Sequence, residues 1–148
     1  MLNYQNILLT VDFSEHDQLV VQRASALAEQ FHATLHILHV LDNIPMPDTP
    51  YGTVVPLTED SAYELLEQEK NKLVKISNQL NIAPSRRWLI WGEPQQEITQ
   101  LAIQQQIDLI IVGSHGRHGF AVLMGSTAKD VLYHAECDVL AVHIKEPI

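Results

Sequence analysis

Short, unbroken apolar runs alternate with stretches of helical periodicity along the whole chain, and this alternation constrains the fold more than any other feature. The first run, Asn6-Ile7-Leu8-Leu9-Thr10-Val11, is too short for a helix and too continuous for a strand with one wet face. It suits a strand covered on both sides, as in a parallel sheet. Thr34–Leu41, Ser85–Trp91, Asp108–Val112 and Val139–Ile144 read the same way, so five strands are expected. Apolar stripes at helical spacing lie between them: Val20, Ala24, Leu27, Ala28 and Phe31, then Ala62, Leu66, Leu73, Ile76 and Leu80. Ile98, Leu101 and Ala102 mark a third stripe, and Ala128, Val131, Leu132 and Ala135 a fourth. Strands and helices in alternation imply right-handed crossovers. The expectation is one α/β domain over residues 1–148, with a doubly wound parallel sheet and helices on both faces.

Local signals place the ends of these elements. Ser14 is expected to cap the first helix, with Asp17 three residues on in a weakened capping box. Ser61 and Glu64 have the same spacing before a helix from about 61 to 80. Pro94, after Gly92-Glu93, suits a first helical position. Asp42–Pro56 holds four of the seven prolines together with Gly52, and reads as a long irregular excursion.

Charge narrows the partners. Eighteen acidic residues against nine basic ones leave a net charge of −9 in 148 residues, unlike the basic surface that nucleic acid or anionic lipid requires. No apolar run approaches a membrane span, and the first residues lead into a strand rather than a signal sequence. A lone cysteine, Cys137, forms no intrachain disulfide and reads as a small buried hydrophobe. The chain is expected to be cytoplasmic.

Four of the six glycines fall between Gly113 and Gly125, in Gly113-Ser114-His115-Gly116-Arg117-His118-Gly119 and Gly125-Ser126-Thr127. Glycine lets a ligand approach main-chain N–H groups, and a helix beginning at Ser126 offers unpaired N–H groups to an anion. A strand feeding such a loop is a phosphate cradle. Ligands of doubly wound sheets sit beyond the carboxyl ends of strands where the winding reverses, so Asp12 and Gly113 are expected to flank the crevice. Asp12 either caps the following helix or accepts hydrogen bonds from a ribose or an adenine amine.

Other chemistries fail on the residues. No Gly-Lys pair exists for a P-loop, and no glycine follows the first strand for a dinucleotide fingerprint. Gly-Ser-His-Gly is not the hydrolase elbow, and Ser126-Thr127-Ala128-Lys129 lacks the partner motifs of S-x-x-K enzymes. His36 and His39 are separated by an odd number and face opposite sides of a strand, and no histidine or cysteine set has zinc spacing. Surface and edge histidines are expected, and no metal site.

These segments together resemble the universal stress proteins over the whole chain. The resemblance rests on Ile7–Ser14, His39-Val40, the Gly-Ser-His-Gly-Arg loop, Gly125–Ala128 and the closing Cys137–Val142. It implies a five-stranded sheet in the order 3-2-1-4-5 and a homodimer through the last strand, Val139–Ile144. It also implies ATP or AMP held by Thr10, Val11, Asp12, Val40, Gly113, Ser114, His115, Gly116, Arg117, Gly125, Ser126 and Thr127. Asp12 would meet the ribose or adenine and Val40 would flank the base with its backbone. The glycines would line ribose and phosphates, with Mg²⁺ only as the nucleotide's counter-ion. One branch of the family binds nucleotide through G-x2-G-x9-G-[ST]; the other lacks the glycines and acts through protein contacts. Eight residues rather than nine separate Gly116 from Gly125 here. In a helical spacer that deletion turns Gly125 by about 100°, while Gly119 gives the loop room to absorb it. Three functions are open at this stage: a nucleotide-binding regulatory module, a dimeric interaction protein without nucleotide, and a weak ATP hydrolase. The first is favoured and an enzyme is not expected, because no general base stands beside the phosphate end.

Overall fold

A computed structural model describes residues 3–42, 44–114 and 126–144. The elements, in chain order, are β1 (Asn6–Thr10), α1 (Asp17–Phe31), β2 (Thr34–Leu41), β3 (Thr53–Val54) and α2 (Glu64–Gln79). A 3₁₀ turn (Pro84–Arg86) then leads to β4 (Arg87–Trp91), α3 (Pro94–Gln104), β5 (Leu109–Ser114), α4 (Ser126–His134) and β6 (Asp138–His143). The sheet order is β3-β4-β2-β1-β5-β6, with every pair parallel except β3 against β4. The five parallel strands therefore follow the expected 3-2-1-4-5 winding.

Each strand of the centre is buried on both faces, which is why the runs are continuous. Ile7, Leu9, Ile37, Leu41, Leu89, Leu109 and Ile111 meet α1 and α2 through Val20, Val21, Ala24, Leu66 and Leu73. Leu8, Leu38, Val40, Ile90, Ile110 and Val112 meet Ile98, Leu101, Ala102, Ala128 and Val131 of α3 and α4. Alternate residues of a strand thus feed different cores, as the two-residue period demands. No helix of the described residues is long and apolar enough to cross a membrane.

The sixth strand, β3, lies inside the proline-rich excursion and corrects the expectation of five. Two β-branched residues between Pro50 and Pro56 are enough for an antiparallel edge pair, where a proline's missing N–H costs nothing. Gly52 N–H donates to the Trp91 carbonyl at 2.6 Å and Val55 N–H to that of Leu89 at 2.8 Å. The Trp91 indole N–H reaches the Thr49 carbonyl at 3.0 Å, and the Tyr51 ring meets the Trp91 ring edge-on.

Helix starts differ from the expectation in instructive ways. Ser14 does not cap α1; its hydroxyl only accepts the His16 N–H at 3.4 Å, and the helix begins at Asp17. The box before α2 pairs Ser61 with Glu67 instead of Glu64: Glu67 Oε1 accepts the Ser61 N–H at 2.6 Å. Lys70, buried on the same face, donates to Glu67 and to the Glu59 carbonyl, which ties the incoming chain to the helix. Pro94 does open α3, and Glu93 caps it by accepting from Gln95 and Gln96 N–H groups. The third parallel strand starts at Arg87 rather than Ser85, because Pro84 begins a 3₁₀ turn. Ala62 and Leu132 stand exposed, outside the stripes assigned to them.

Gly92 follows β4 at a point where no side chain fits. An added Cβ would lie 2.6 Å from both Cγ and Oε2 of Glu97, whose side chain is buried against it. Urea unfolding of Gly92→Ala should show a loss of about 1–3 kcal/mol, the usual cost of overpacking a filled site. Adding Glu97→Ala should restore part of it; no rescue would mean that the glycine is required for another reason.

Candidate functional site

The turn after β1 is built around a carboxyl group. Val11 N–H continues the ladder to the Leu38 carbonyl at 3.0 Å, and Phe13 then takes the left-handed conformation at φ 61°. Asp17, the first residue of α1, reaches back into this turn. Its Oδ2 accepts the Phe13 N–H at 2.7 Å, and its Oδ1 accepts the Asp12 N–H at 3.4 Å. Asp12 in turn accepts the Ser14 N–H at 2.9 Å. The capping reading of Asp12 is therefore modified: it pins the loop ahead of the helix, and the residue is exposed. Asp17 is only 7% exposed, and its carboxyl is pushed up to about 7, first by burial and then by the neighbouring Asp12.

Amides at the first β–α turn are where a doubly wound sheet usually seats a pyrophosphate. Here the protein's own Asp17 carboxyl takes them. The Asp12 and Phe13 amides are thereby occupied by a side chain of the protein itself.

That other end is β5. β1 lies between β2 and β5, with Leu9 level with Ile37 on one side and Ile111 on the other. The Thr10 hydroxyl donates to the Ile111 carbonyl at 3.1 Å. Thr10, Val11 and Asp12 thus emerge beside Gly113 and Ser114, and Val40 stands on the other flank in β2, its side chain in the core under α3 and α4. Ser126 and Thr127 begin α4, which packs across the same face through Ala128 and Val131. His115, Gly116, Arg117 and Gly125 lie outside the described residues, so the spacing between Gly116 and Gly125 does as well. A groove of about 390 Å³ at the opposite end, beside Ala28, Leu35, Leu80 and Arg86, is lined by none of the expected residues.

The two β2 histidines are neither surface nor edge residues, which corrects the sequence expectation. They do face opposite sides. His39 Nδ1 donates to the Val11 carbonyl at 2.7 Å, its Nε2 is 3.5 Å from Glu69, and the Phe13 ring lies 4.0 Å from its own. His36 is buried near Arg86 on the other face, its Nδ1 unpartnered among the described residues. Sequence reasoning missed Asp17 and His39 as parts of this turn; the two-residue period placed His39 on a face but could not say that Val11 lay above it. No group of three or more His, Cys, Asp or Glu residues able to hold a metal occurs among the described residues. Cys137 is half-buried rather than buried, and burial followed by Asp138 and Asp108 raises its thiol pKa.

The model of the universal stress protein family matches residues 3–143. The chain belongs to the universal stress protein family. Universal stress protein A homolog 2 of Coxiella burnetii is 36% identical over 146 residues, covering 98% of this chain and 99% of the relative. Among solved structures, a universal stress protein in complex with cAMP superposes with a TM-score of 0.70 at 21% identity, covering 96% of this chain and 98% of the other. One from Archaeoglobus fulgidus in complex with dAMP gives 0.61 at 17% identity, with 95% and 98% covered. At these identities the two structures speak for the fold.

Burial holds both histidines of this universal stress protein below the ordinary value of 6.5, aided at His36 by the Arg86 charge and opposed at His39 by the Val11 carbonyl and the nearby acids. A group whose folded pKa is depressed gains protons on unfolding, so its contribution to stability is present above about pH 6.5 and is lost as pH falls through the folded value. Imidazole NMR titration should place both midpoints below 6.5, and Arg86→Gln should raise that of His36 while leaving His39 in place. A His36 midpoint unmoved by that substitution would remove Arg86 as a cause.

Proposed function

We propose that this universal stress protein is a cytoplasmic regulatory module that binds an adenine nucleotide, ATP or AMP, beyond the carboxyl ends of β1 and β5. The observation that carries the reading is the Asp17 carboxyl seated on the first-turn amides. It leaves the Asp12 carboxylate outward for ribose or adenine hydrogen bonds, and directs phosphate toward the glycine-rich strand end and α4. Val40, Thr10 and Val11 flank the base and ribose in this reading. Gly113, Ser114, His115, Gly116, Arg117, Gly125, Ser126 and Thr127 receive the phosphates through N–H and hydroxyl donors. Two structures of the same fold that hold cyclic or deoxy adenosine monophosphates support the choice of ligand. Any Mg²⁺ arrives with the phosphates. Nucleotide occupancy is the signal, and turnover is not part of the role.

A homodimer through β6 belongs to the proposal. β6 is the sheet edge among the described residues, with Leu140 37% exposed on it and Leu132 52% exposed on the adjacent α4. An apolar edge strand is best covered by a second copy.

Isothermal titration should give saturable binding of ATP or AMP, weakened about tenfold or more by Asp12→Ala, and thermal melts should shift upward with ligand. A melting temperature indifferent to millimolar nucleotide would favour the interaction-protein branch instead. Light scattering should report a dimer, and Leu140→Arg should shift it toward monomer; a dimer untouched by that change would place the interface elsewhere.

A further inference from the structure

Polar side chains of β2 and β4 fare differently on the two faces of the sheet. Toward α1 and α2 their nitrogens are matched by the protein. Arg87 Nε donates to the Ile82 carbonyl at 2.8 Å and its Nη2 to Asn78 Oδ1 at 2.9 Å. Trp91 and His39 donate to the Thr49 and Val11 carbonyls. Three other buried nitrogens have no hydrogen-bond partner among the described residues: His36 Nδ1, Arg86 Nε and Trp88 Nε1.

Register sets these three close together. β2 and β4 run parallel, with Ile37 level with Arg87 and Leu38 level with Trp88, so Arg86, at the end of the 3₁₀ turn, comes alongside His36. Trp88 packs against the core under α3 and α4 together with Leu38, and His36, two residues before Leu38, shares that face. His36 is 6% exposed.

All three nitrogens can donate. A guanidinium and an indole N–H do nothing else, and a neutral imidazole can carry its proton on Nδ1. Buried donors without acceptors are rare because they are costly, so the cluster calls for an acceptor. It also calls for negative charge. Although the chain has eighteen acidic residues, none of the ion pairs among the described residues includes Arg86. Glu29 and Arg86 both line the groove of about 390 Å³ at this end of the sheet, yet they do not pair.

We propose that His36, Arg86 and Trp88 form a site for a small tetrahedral oxyanion of the phosphate class at the amino ends of β2 and β4. Arg86 supplies the charge, and the Trp88 indole and the His36 imidazole each give one N–H. A tetrahedral oxyanion has an oxygen for every donor, whereas a carboxylate has two oxygens in all. The groove that Arg86 lines brings the anion in from solvent. This site lies at the opposite strand ends from Asp12 and Gly113 and is independent of the nucleotide reading.

The chain has two tryptophans, so its ¹H–¹⁵N spectrum carries two indole resonances, and Trp91, already bonded to the Thr49 carbonyl, is the internal reference. Inorganic phosphate, titrated at neutral pH and constant ionic strength against chloride, should move the Trp88 indole and the Arg86 Nε–H along one saturable curve while Trp91 stays still. Trp88→Phe assigns the indole by its loss. Arg86→Gln should weaken phosphate binding about tenfold or more, and Arg86→Lys, which keeps the charge without the Nε–H, should fall between it and the wild type. Arg87→Gln should leave the midpoint unchanged. Resonances of Trp88 and Arg86 that stay put at millimolar phosphate, two indoles that shift alike, or an Arg86→Gln curve that overlays the wild type would overturn the proposal. Shifts confined to amides near Asp12 and Gly113 would overturn it too, since they would put the anion at the other strand ends.

Discussion

Burial of the sheet on both faces is the constraint from which the rest follows. β1, β2 and β5 carry Ile7, Leu8, Leu9, Ile37, Leu38, Ile110 and Ile111, all fully buried. At about 25 cal/mol per Å² of apolar surface, these side chains dominate the favourable side of folding. A strand so covered has no free face for a ligand. Chemistry is confined to the strand ends, where the chain leaves the core and its polar groups need partners. The crevice between Asp12 and Gly113 is one such place, and the Asp17 carboxyl in the β1–α1 turn is the partner that the first strand end acquired.

A chain with a net charge of −9 repels anions at a distance, so an anionic ligand has to be won by local donors. In this fold the donors are main-chain amides at strand ends and helix starts. Asp17 consumes those of the first turn by accepting the Asp12 and Phe13 N–H groups. In the proposed reading the two strand ends divide the work, with acceptors from Asp12 and donors from the glycine-rich end. That polarity would suit a nucleotide, whose hydroxyls and amine donate while its phosphates accept.

The parallel strands, their order and the two cores were legible because continuous apolar runs and helical stripes leave few other ways to bury the same residues. Thr34–Leu41 is observed at its expected bounds, and Ile98, Leu101 and Ala102 face the core as their spacing requires. What escaped was set by contacts distant in sequence. β3 forms because Trp91 and Leu89 offer carbonyls to a segment nearly 40 residues earlier, a fact that proline content could only obscure. The capping boxes failed for a related reason. Ser61 found Glu67, and Asp17 turned back to Phe13 rather than closing a box with Ser14, each acid taking a part-buried amide of the incoming chain. Asp12 and Gly113 were recognisable as strand ends; the carboxyl pair was not, because nothing in Asp-x4-Asp says that the second acid will be buried.

The centre of the sheet also imposes an order on assembly. β1 is among the first segments made, yet one of its two neighbours, β5, follows about a hundred residues later, and Asp108 alone accepts the Gln5 and Asn6 N–H groups that begin the strand. Tyr4 waits longer still, for Asp138 at the start of β6. As the chain leaves the ribosome, Ile7-Leu8-Leu9 therefore has one open edge until most of the protein exists. β2, paired through five residues from Asn6–Thr34 to Thr10–Leu38, shields the other edge in the meantime. The nascent half-sheet is the species that a chaperone would meet, and β1 and β5 cannot stand side by side before it closes.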